Sequence, residues 1–285
     1  MNLLILLHNH IKALLWIVFC LLIPFNAYTQ DNILKLGVFP YANPGYLAKL
    51  HRPLKNYFQE CTTEPIQMLS AANFKTFKQN TKNGWYDILI TAPHLGRLAE
   101  KQANYQWLGF TSNISYAVFA VKQNNQSKTL ADFKGQTIAL PPKTAIIHQL
   151  ALHKLKEAGL TPSVDITIKE VNSHNNAMLA VINNLTPIAA FGKPTWSKFK
   201  PPGRETIIKL TQSENIPGFA VMANPRLGSK MISQLKQHFL NFQNTQPGKT
   251  YFKKTGLKGA REKTPQDLKT LDKYLNAIQQ AKQSK

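Results

Sequence analysis

Residues 216–222, Ile-Pro-Gly-Phe-Ala-Val-Met, decide the fold of this chain. They read as an apolar strand that resumes a β/α block begun at residue 34 and left at residue 121. Outward from that stretch, Leu34 to Phe39 is a first strand, and the turn Pro40 to Gly45 leads into a helix over Tyr46–Glu60. Its apolar residues Leu47, Leu50, Leu54, Tyr57 and Phe58 recur at three- and four-residue steps, the period of a helix with one buried face. Pro65–Leu69 reads as a strand and Asn73–Asn80 as a helix. Trp85–Thr91 is a third strand, ending at Ala92-Pro93-His94 before a helix to Gln102. Tyr116–Val121 is a strand, and polar Lys122–Lys128 marks a boundary.

A second α/β block follows that boundary. It carries the strand Gln136–Leu140 and a helix entered through Pro141 to Thr144 and stopped by Gly159. The strand Asp165–Glu170, the helix Asn175–Asn183 and the strand Pro187–Phe191 complete it. Helices around Ser229–Phe242 and Pro265–Ala281 close the chain, with no internal repeat. Repeated β-α-β units imply parallel sheets with right-handed crossovers. One block interrupted by another and joined to it by two strands is the plan of a bilobed α/β clamshell that closes by hinge motion. Lobe 1 is expected over residues 30–121 and 216–285, with lobe 2 inserted over 122–215.

Residues 1–29 read as a Sec-type signal peptide. Lys12 is the only charged side chain before Asp31, an apolar block runs from Ala13 to Phe25, and the small residues Ala27 and Thr29 follow. A membrane anchor is the competing reading, but the block is short of the ~20 residues that a span needs. Phe19 before Cys20 argues against a lipoprotein signal. The mature chain is expected to be a soluble periplasmic monomer.

The formal charge is +21, or +20 without Lys12. Such a field draws in anionic solutes or acidic surfaces. The lysines are scattered singly, without a basic-aromatic nucleic-acid motif, so nucleic acid is not the expected partner. Once Cys20 leaves with the signal, Cys61 is alone, which excludes a disulfide framework and a cysteine metal cluster. No Gly-x-Ser-x-Gly elbow and no His-Glu-x-x-His spacing is present, so neither an enzyme nor a cofactor is expected.

Five stretches together resemble the substrate-binding proteins of phosphate, phosphite and phosphonate ABC transporters, the phosphonate-binding branch of the type II periplasmic binding fold. They are Gly37-Val38-Phe39-Pro40-Tyr41, then Gly84-Trp85-Tyr86-Asp87-Ile88 with Ala92-Pro93-His94, Thr129–Leu140, Ser173–Ala177, and Glu214–Gly218. Their order spans about residues 34 to 260. The resemblance implies a receptor that holds a small anion, most readily a phosphorus oxyanion, for an ABC permease in the inner membrane. A receptor reporting to a membrane signalling protein is the alternative, followed by an enzyme on the same fold.

The resemblance also implies ligand contacts. Tyr41 would donate its hydroxyl into the cleft, His94 would face it from the end of a strand, and His174 would stand at a helix start. Family members hold the anion on a Ser-Thr-Ser-Gly loop at a helix N-terminus, where free N–H groups and the helix dipole favour an oxyanion. Here the loop reads Pro142-Lys143-Thr144-Ala145-Ile146, which leaves Thr144 as the hydroxyl and Lys143 as a charge. The family's acidic residue before the return crossing is missing from Thr186–Phe191. That loss disfavours a zwitterionic ligand and favours a fully ionised anion. Phe191, Trp196 and Tyr46 are candidate apolar walls.

Overall fold

A computed structural model describes residues 33–125 and 128–283, with side chains through residue 275. The signal-peptide reading falls outside the described residues. Among them, no helix is long and apolar enough to cross a membrane.

The first sheet is laid down by β1 (Leu34–Val38), α1 (Pro44–Thr62), β2 (Ile66–Leu69), α2 (Phe74–Lys82), β3 (Ile88–Thr91), α3 (Pro93–Ala103) and β4 (Gln106–Thr111). Asn43 starts α1 by accepting hydrogen bonds from the Gly45 and Tyr46 N–H groups, with Pro44 at the position where an N–H has no helical partner. Asn73 caps α2 in the same way through Thr76 N–H. The chain then leaves through β5 (Ile114–Ser115) and builds a second sheet. Its elements are β6 (Ala117–Lys122), β7 (Thr137–Leu140), α4 (Ile146–Glu157), β8 (Thr167–Glu170), α5 (His174–Ile182), β9 (Ile188–Gly192), α6 (Lys193–Lys198) and β10 (Ile207–Gln212). The return runs through β11 (Ile216–Pro217), β12 (Ala220–Ala223), α7 (Gly228–Phe242), α8 (Gln246–Thr255), β13 (Ala260–Arg261) and α9 (Pro265–Gln283).

The larger sheet has the order β13-β4-β12-β3-β1-β2 and the smaller β10-β6-β9-β7-β8, while β11 and β5 form a separate two-stranded ribbon. β1 runs parallel to β2 and β3, and β7 parallel to β8 and β9, as β-α-β units require. We refer to the larger sheet with its helices as lobe 1 and to the smaller as lobe 2. The molecule has the bilobed type II architecture, with the β5–β11 ribbon as its two-strand hinge.

The stretch 216–222 is not the single strand that its apolarity suggests. Ile216 and Pro217 pair with Ser115 and Ile114 in the hinge, while Ala220–Ala223 lies between β3 and β4 in lobe 1. Gly218 makes the crossing possible: a Cβ there would lie 2.4 Å from Thr111 Oγ1 and 2.6 Å from the Thr111 carbonyl. Thr111 Oγ1 accepts the Phe219 N–H at 2.8 Å, which fixes the chain at the crossing.

Both faces of each sheet are covered, so the central strands are buried throughout. Leu36, Val38, Ile90, Phe239 and Phe242 pack on one side of the larger sheet, and Leu89, Phe110, Met222 and Leu271 on the other. In lobe 2, Phe119, Ile138 and Leu150 pack on the face beneath α4, opposite Val118, Met178 and Phe191. Each such side chain contributes roughly 1.5–3 kcal/mol through burial. Helix α9 serves both lobes, with Leu271 in the lobe 1 core and Tyr274 in the lobe 2 core.

Several elements escape the hydrophobic pattern. β4 and β10 are mixed in polarity, and α6 spans only Lys193–Lys198. α8 opens on Pro247 and Gly248, residues that read as a turn. There a Cβ would meet the Phe242 carbonyl oxygen at 1.6 Å, so the glycine is demanded by close approach to the end of α7.

Candidate functional site

The Gly-x-Tyr-Asp stretch proves to be scaffold. The Tyr86 ring fills the space beside Gly37, where a Cβ would come within 2.5 Å of it. The Asp87 carboxylate accepts the Lys35 N–H at 2.8 Å and pairs with Arg226 Nε at 2.7 Å, which locks β1 to the segment after β12. Asn224 adds hydrogen bonds to the Gly84 and Tyr86 carbonyls, both at 3.2 Å.

With β1 and β3 so fixed, their carboxyl ends present the first two expected site residues. In open parallel sheets this is where ligands are met. Tyr41 is half-buried, its ring 4.7 Å from Phe39 and 5.1 Å from Phe219. Its hydroxyl lies 2.8 Å from His51 Nε2, and His51 Nδ1 lies 2.9 Å from the Tyr251 hydroxyl. Burial pushes the Tyr41 phenol well above its ordinary range, with a smaller contribution from neighbouring Tyr46.

His94 follows β3 at the start of α3 and is only 2% exposed. Its ring makes only a loose contact with the Thr144 backbone, short of full hydrogen-bond geometry, and the buried Thr91 hydroxyl just before it has no partner among the described residues. Burial brings the His94 pKa down to about 4, against a weaker upward pull from the Thr144 backbone. Thr144 belongs to lobe 2, so this pair spans the two lobes. A buried imidazole so weakly paired is expensive unless something else satisfies it.

The lobe 2 residues sit at the carboxyl ends of β7, β8 and β9. The loop Pro141–Ala145 is held from several directions: His148 Nδ1 donates to the Pro141 carbonyl at 2.7 Å and Gln149 Nε2 to the Lys143 carbonyl at 3.1 Å. The Lys143 N–H donates to Glu170 Oε1 at 3.2 Å. The Lys143 and Thr144 side chains are exposed, and Lys143 forms no ion pair among the described residues. Helix α4 begins without a side-chain cap and without an acidic residue in its first turn. Its first N–H groups and its positive dipole end are therefore left uncompensated by side chains.

His174 opens α5 beside its cap, Ser173, whose hydroxyl accepts the Asn176 N–H at 3.1 Å. The His174 Nδ1 accepts the Gly192 N–H at 3.2 Å, so the ring carries its proton on Nε2. Burial lowers the His174 pKa to about 4, and the neutral ring presents Nε2–H as a donor. Gly192 ties the set together, since a Cβ on it would stand 3.6 Å from Ile147 at the start of α4 and 3.7 Å from His174 at the start of α5.

The structure thus brings His94 to Thr144 across the lobes and gathers the starts of α4 and α5 around Gly192. The hydrogen bonding of Tyr41 stays within lobe 1. Two of the candidate walls are occupied elsewhere: Phe191 is fully buried, and Trp196 lies between Phe191 and the Arg204 guanidinium, 3.5 Å from its ring. Tyr46 is 51% exposed, beside Tyr41. His51, His148 and Tyr251 carry no motif and emerge only from their hydrogen bonds. Lys193 directly follows β9, two residues beyond the run in which an acid was sought. Burial lowers its pKa, and the nearby Lys258 and Lys209 lower it further, so three lysines gather at this end of the lobe 2 sheet.

The family model for the phosphonate periplasmic substrate-binding protein of ABC transporters matches residues 36–268. The chain belongs to this family. No curated protein matched the sequence. Among solved structures, PhnD1 of Prochlorococcus marinus, in complex with methylphosphonate, superimposes with a TM-score of 0.75 at 15% identity, over 87% of this chain and 99% of its own. XAC2383 of Xanthomonas citri, bound to chloride, gives 0.73 at 17% identity over 89% and 99%. PA3383 of Pseudomonas aeruginosa, a binding protein component of an ABC phosphonate transporter, gives 0.68 at 13% over 89% and 99%. At these identities the structural likeness speaks for the fold. The family is one of periplasmic binding proteins, which serve a membrane permease and are not enzymes.

Proposed function

We propose that the exported protein captures a phosphorus oxyanion (phosphate, phosphite or phosphonate) between its lobes and delivers it to an ABC permease in the inner membrane. Tyr41 and His94 act from lobe 1, and Lys143, Thr144 and His174 from lobe 2. The observation that carries this reading is the donor set around Gly192. An uncapped helix start and a histidine fixed with its proton on Nε2 both offer hydrogens, with no carboxylate on either helix's first turn. Such a set suits an acceptor-rich anion. The missing family acid speaks for a fully ionised ligand rather than a zwitterion. His94 of lobe 1 lies against the Thr144 backbone of lobe 2, which supports closure of the lobes over a ligand.

A thermal-shift screen against phosphate, phosphite, methylphosphonate, aminoethylphosphonate and sulfate tests this. A ligand specific to the native state stabilises it by about 2.7 kcal/mol at a hundred times its dissociation constant. Selective stabilisation by one phosphorus oxyanion is expected, and weaker stabilisation by the aminophosphonate. Stabilisation by none of the phosphorus compounds would remove the oxyanion reading.

A further inference from the structure

His51 lies on α1 with no exposed surface, between the hydroxyls of Tyr41 and Tyr251. Burial lowers its pKa to about 4, so at neutral pH the ring holds one proton, on Nδ1 or on Nε2. Which nitrogen holds it follows from Tyr251. That side chain is 1% exposed, packed among Phe242, Phe252 and Leu257. Among the described residues its hydroxyl has one hydrogen-bond partner, His51 Nδ1 at 2.9 Å. A buried hydroxyl hydrogen must find an acceptor, and Nδ1 is the one within reach. Nδ1 therefore accepts, the imidazole proton resides on Nε2, and Nε2–H donates to the Tyr41 oxygen at 2.8 Å.

The consequence appears at Tyr41. Since its oxygen receives the His51 proton, its own hydrogen points away from His51. Among the described residues no other protein group takes that hydrogen, and Tyr41 is half-buried just past the carboxyl end of β1, the end at which open parallel sheets meet ligands. The opposite tautomer would direct the Tyr41 hydrogen inward and strand the Tyr251 hydrogen in the core.

We infer that Tyr251 and His51 form a fixed proton relay that makes the Tyr41 hydroxyl a dedicated donor to the ligand, so the ligand atom that meets Tyr41 is an unprotonated oxygen and not an ammonium or hydroxyl. Placing the ligand there rests on the oxyanion reading above, whereas the relay itself does not. His51 and Tyr251 are positioning residues, acting only through Tyr41. They supply by orientation the selectivity against donors that the missing carboxylate would otherwise influence by charge.

Two measurements on the secreted protein test the relay. The first is a long-range proton–nitrogen NMR spectrum of the ligand-free protein labelled with nitrogen-15 in histidine, with His51 assigned by the signal lost in His51→Asn. The neutral Nε2–H tautomer is expected at pH 7; the Nδ1–H tautomer overturns the relay. The second is calorimetric titration with methylphosphonate. Tyr41→Phe loses a hydrogen bond to a charged oxygen and binds about tenfold more weakly or worse. Tyr251→Phe frees the tautomer and weakens binding in the same direction, and the double variant is no weaker than Tyr41→Phe alone. Additive losses would show that Tyr251 acts independently of Tyr41 and would overturn the relay. A wild-type protein that binds no phosphorus oxyanion, yet shows His51 as Nε2–H, removes the oxyanion reading and upholds the relay.

Discussion

Lys198 of lobe 2 donates its ammonium to the Thr255 carbonyl of lobe 1 at 2.6 Å. The acceptor is one of the last carbonyls of α8, which the helix leaves unpaired and which carries the negative end of its dipole. One flexible lysine thus bridges the lobes away from the hinge. Lys198→Met is expected to shift the free protein toward an open form, seen as a larger radius of gyration in small-angle scattering. Ligand affinity should fall about fivefold, the scale of one hydrogen bond. A scattering curve identical to that of the wild type would mean that this bridge does not hold the lobes together.

A second tie runs through α9. The Arg97 guanidinium on α3 donates to both Asp272 carboxylate oxygens, at 3.0 and 2.9 Å, and Lys101 adds a third contact at 2.6 Å. Hydrogen bonding to Arg97 holds the Asp272 pKa down to about 2. A carboxylate whose folded pKa lies below its unfolded value stabilises the fold above about pH 4, and the effect is lost as pH falls toward 2. Partial exposure limits the pair to about 1 kcal/mol. Asp272→Asn should therefore lower stability to urea by about that amount at pH 7, with the difference vanishing near pH 2. A constant difference across that range would contradict the assignment.

Acid should also act through the buried histidines. His51 and His94 have folded pKa values of about 4, below the ordinary 6.5. The unfolded chain therefore binds their protons first, and the stability gained from keeping them neutral is complete above about pH 6.5. It declines as pH falls from 6.5 toward 4, by on the order of 3 kcal/mol for each residue. Urea denaturation at pH 7, 5.5 and 4 should show this decline, and His94→Gln should flatten it. An unchanged slope in that variant would place His94 in contact with solvent.

Gly218 is expected to tolerate no side chain. Gly218→Ala places a methyl group against the Thr111 backbone and hydroxyl where the hinge enters lobe 1. A loss of about 1–3 kcal/mol in unfolding free energy is expected, the usual cost of overpacking. A stability within 0.5 kcal/mol of wild type would show that the crossing relaxes.

The last prediction separates a local contact from the general positive field. Lys143 stands on the loop before α4, whereas Lys128 lies near the start of lobe 2, its ammonium 5.4 Å from the Phe133 ring. Lys143→Gln should weaken methylphosphonate binding severalfold more than Lys128→Gln, and its effect should shrink less with added salt, since close pairs are screened less than distant ones. Equal effects would reduce the role of Lys143 to net charge.

Much of this architecture is legible in the residues alone. The helical steps from Leu47 to Phe58 and the apolar runs of β1, β3, β6 and β9 report burial directly, because a side chain's periodicity follows from the backbone geometry that carries it. The alternation of strand and helix, and the return of the chain to its first block near residue 216, follow in the same way. So do the positions at strand ends and helix starts where Tyr41, His94, Thr144 and His174 stand. Short-range order settles all of these.

Tertiary structure decided the rest, because it joins residues that sequence distance conceals. That Pro217 belongs to the hinge and Ala220 to lobe 1 depends on a glycine pressed against Thr111. Gly37 and Tyr86 make a packing contact across two strands, and Asp87 is a clamp on Arg226. His51 and Tyr251 stand 200 positions apart, and only their hydrogen bond assigns the proton that Tyr41 has to offer. A hydrogen bond has direction and demands a partner, and both become defined only when the chain has folded and water has been excluded.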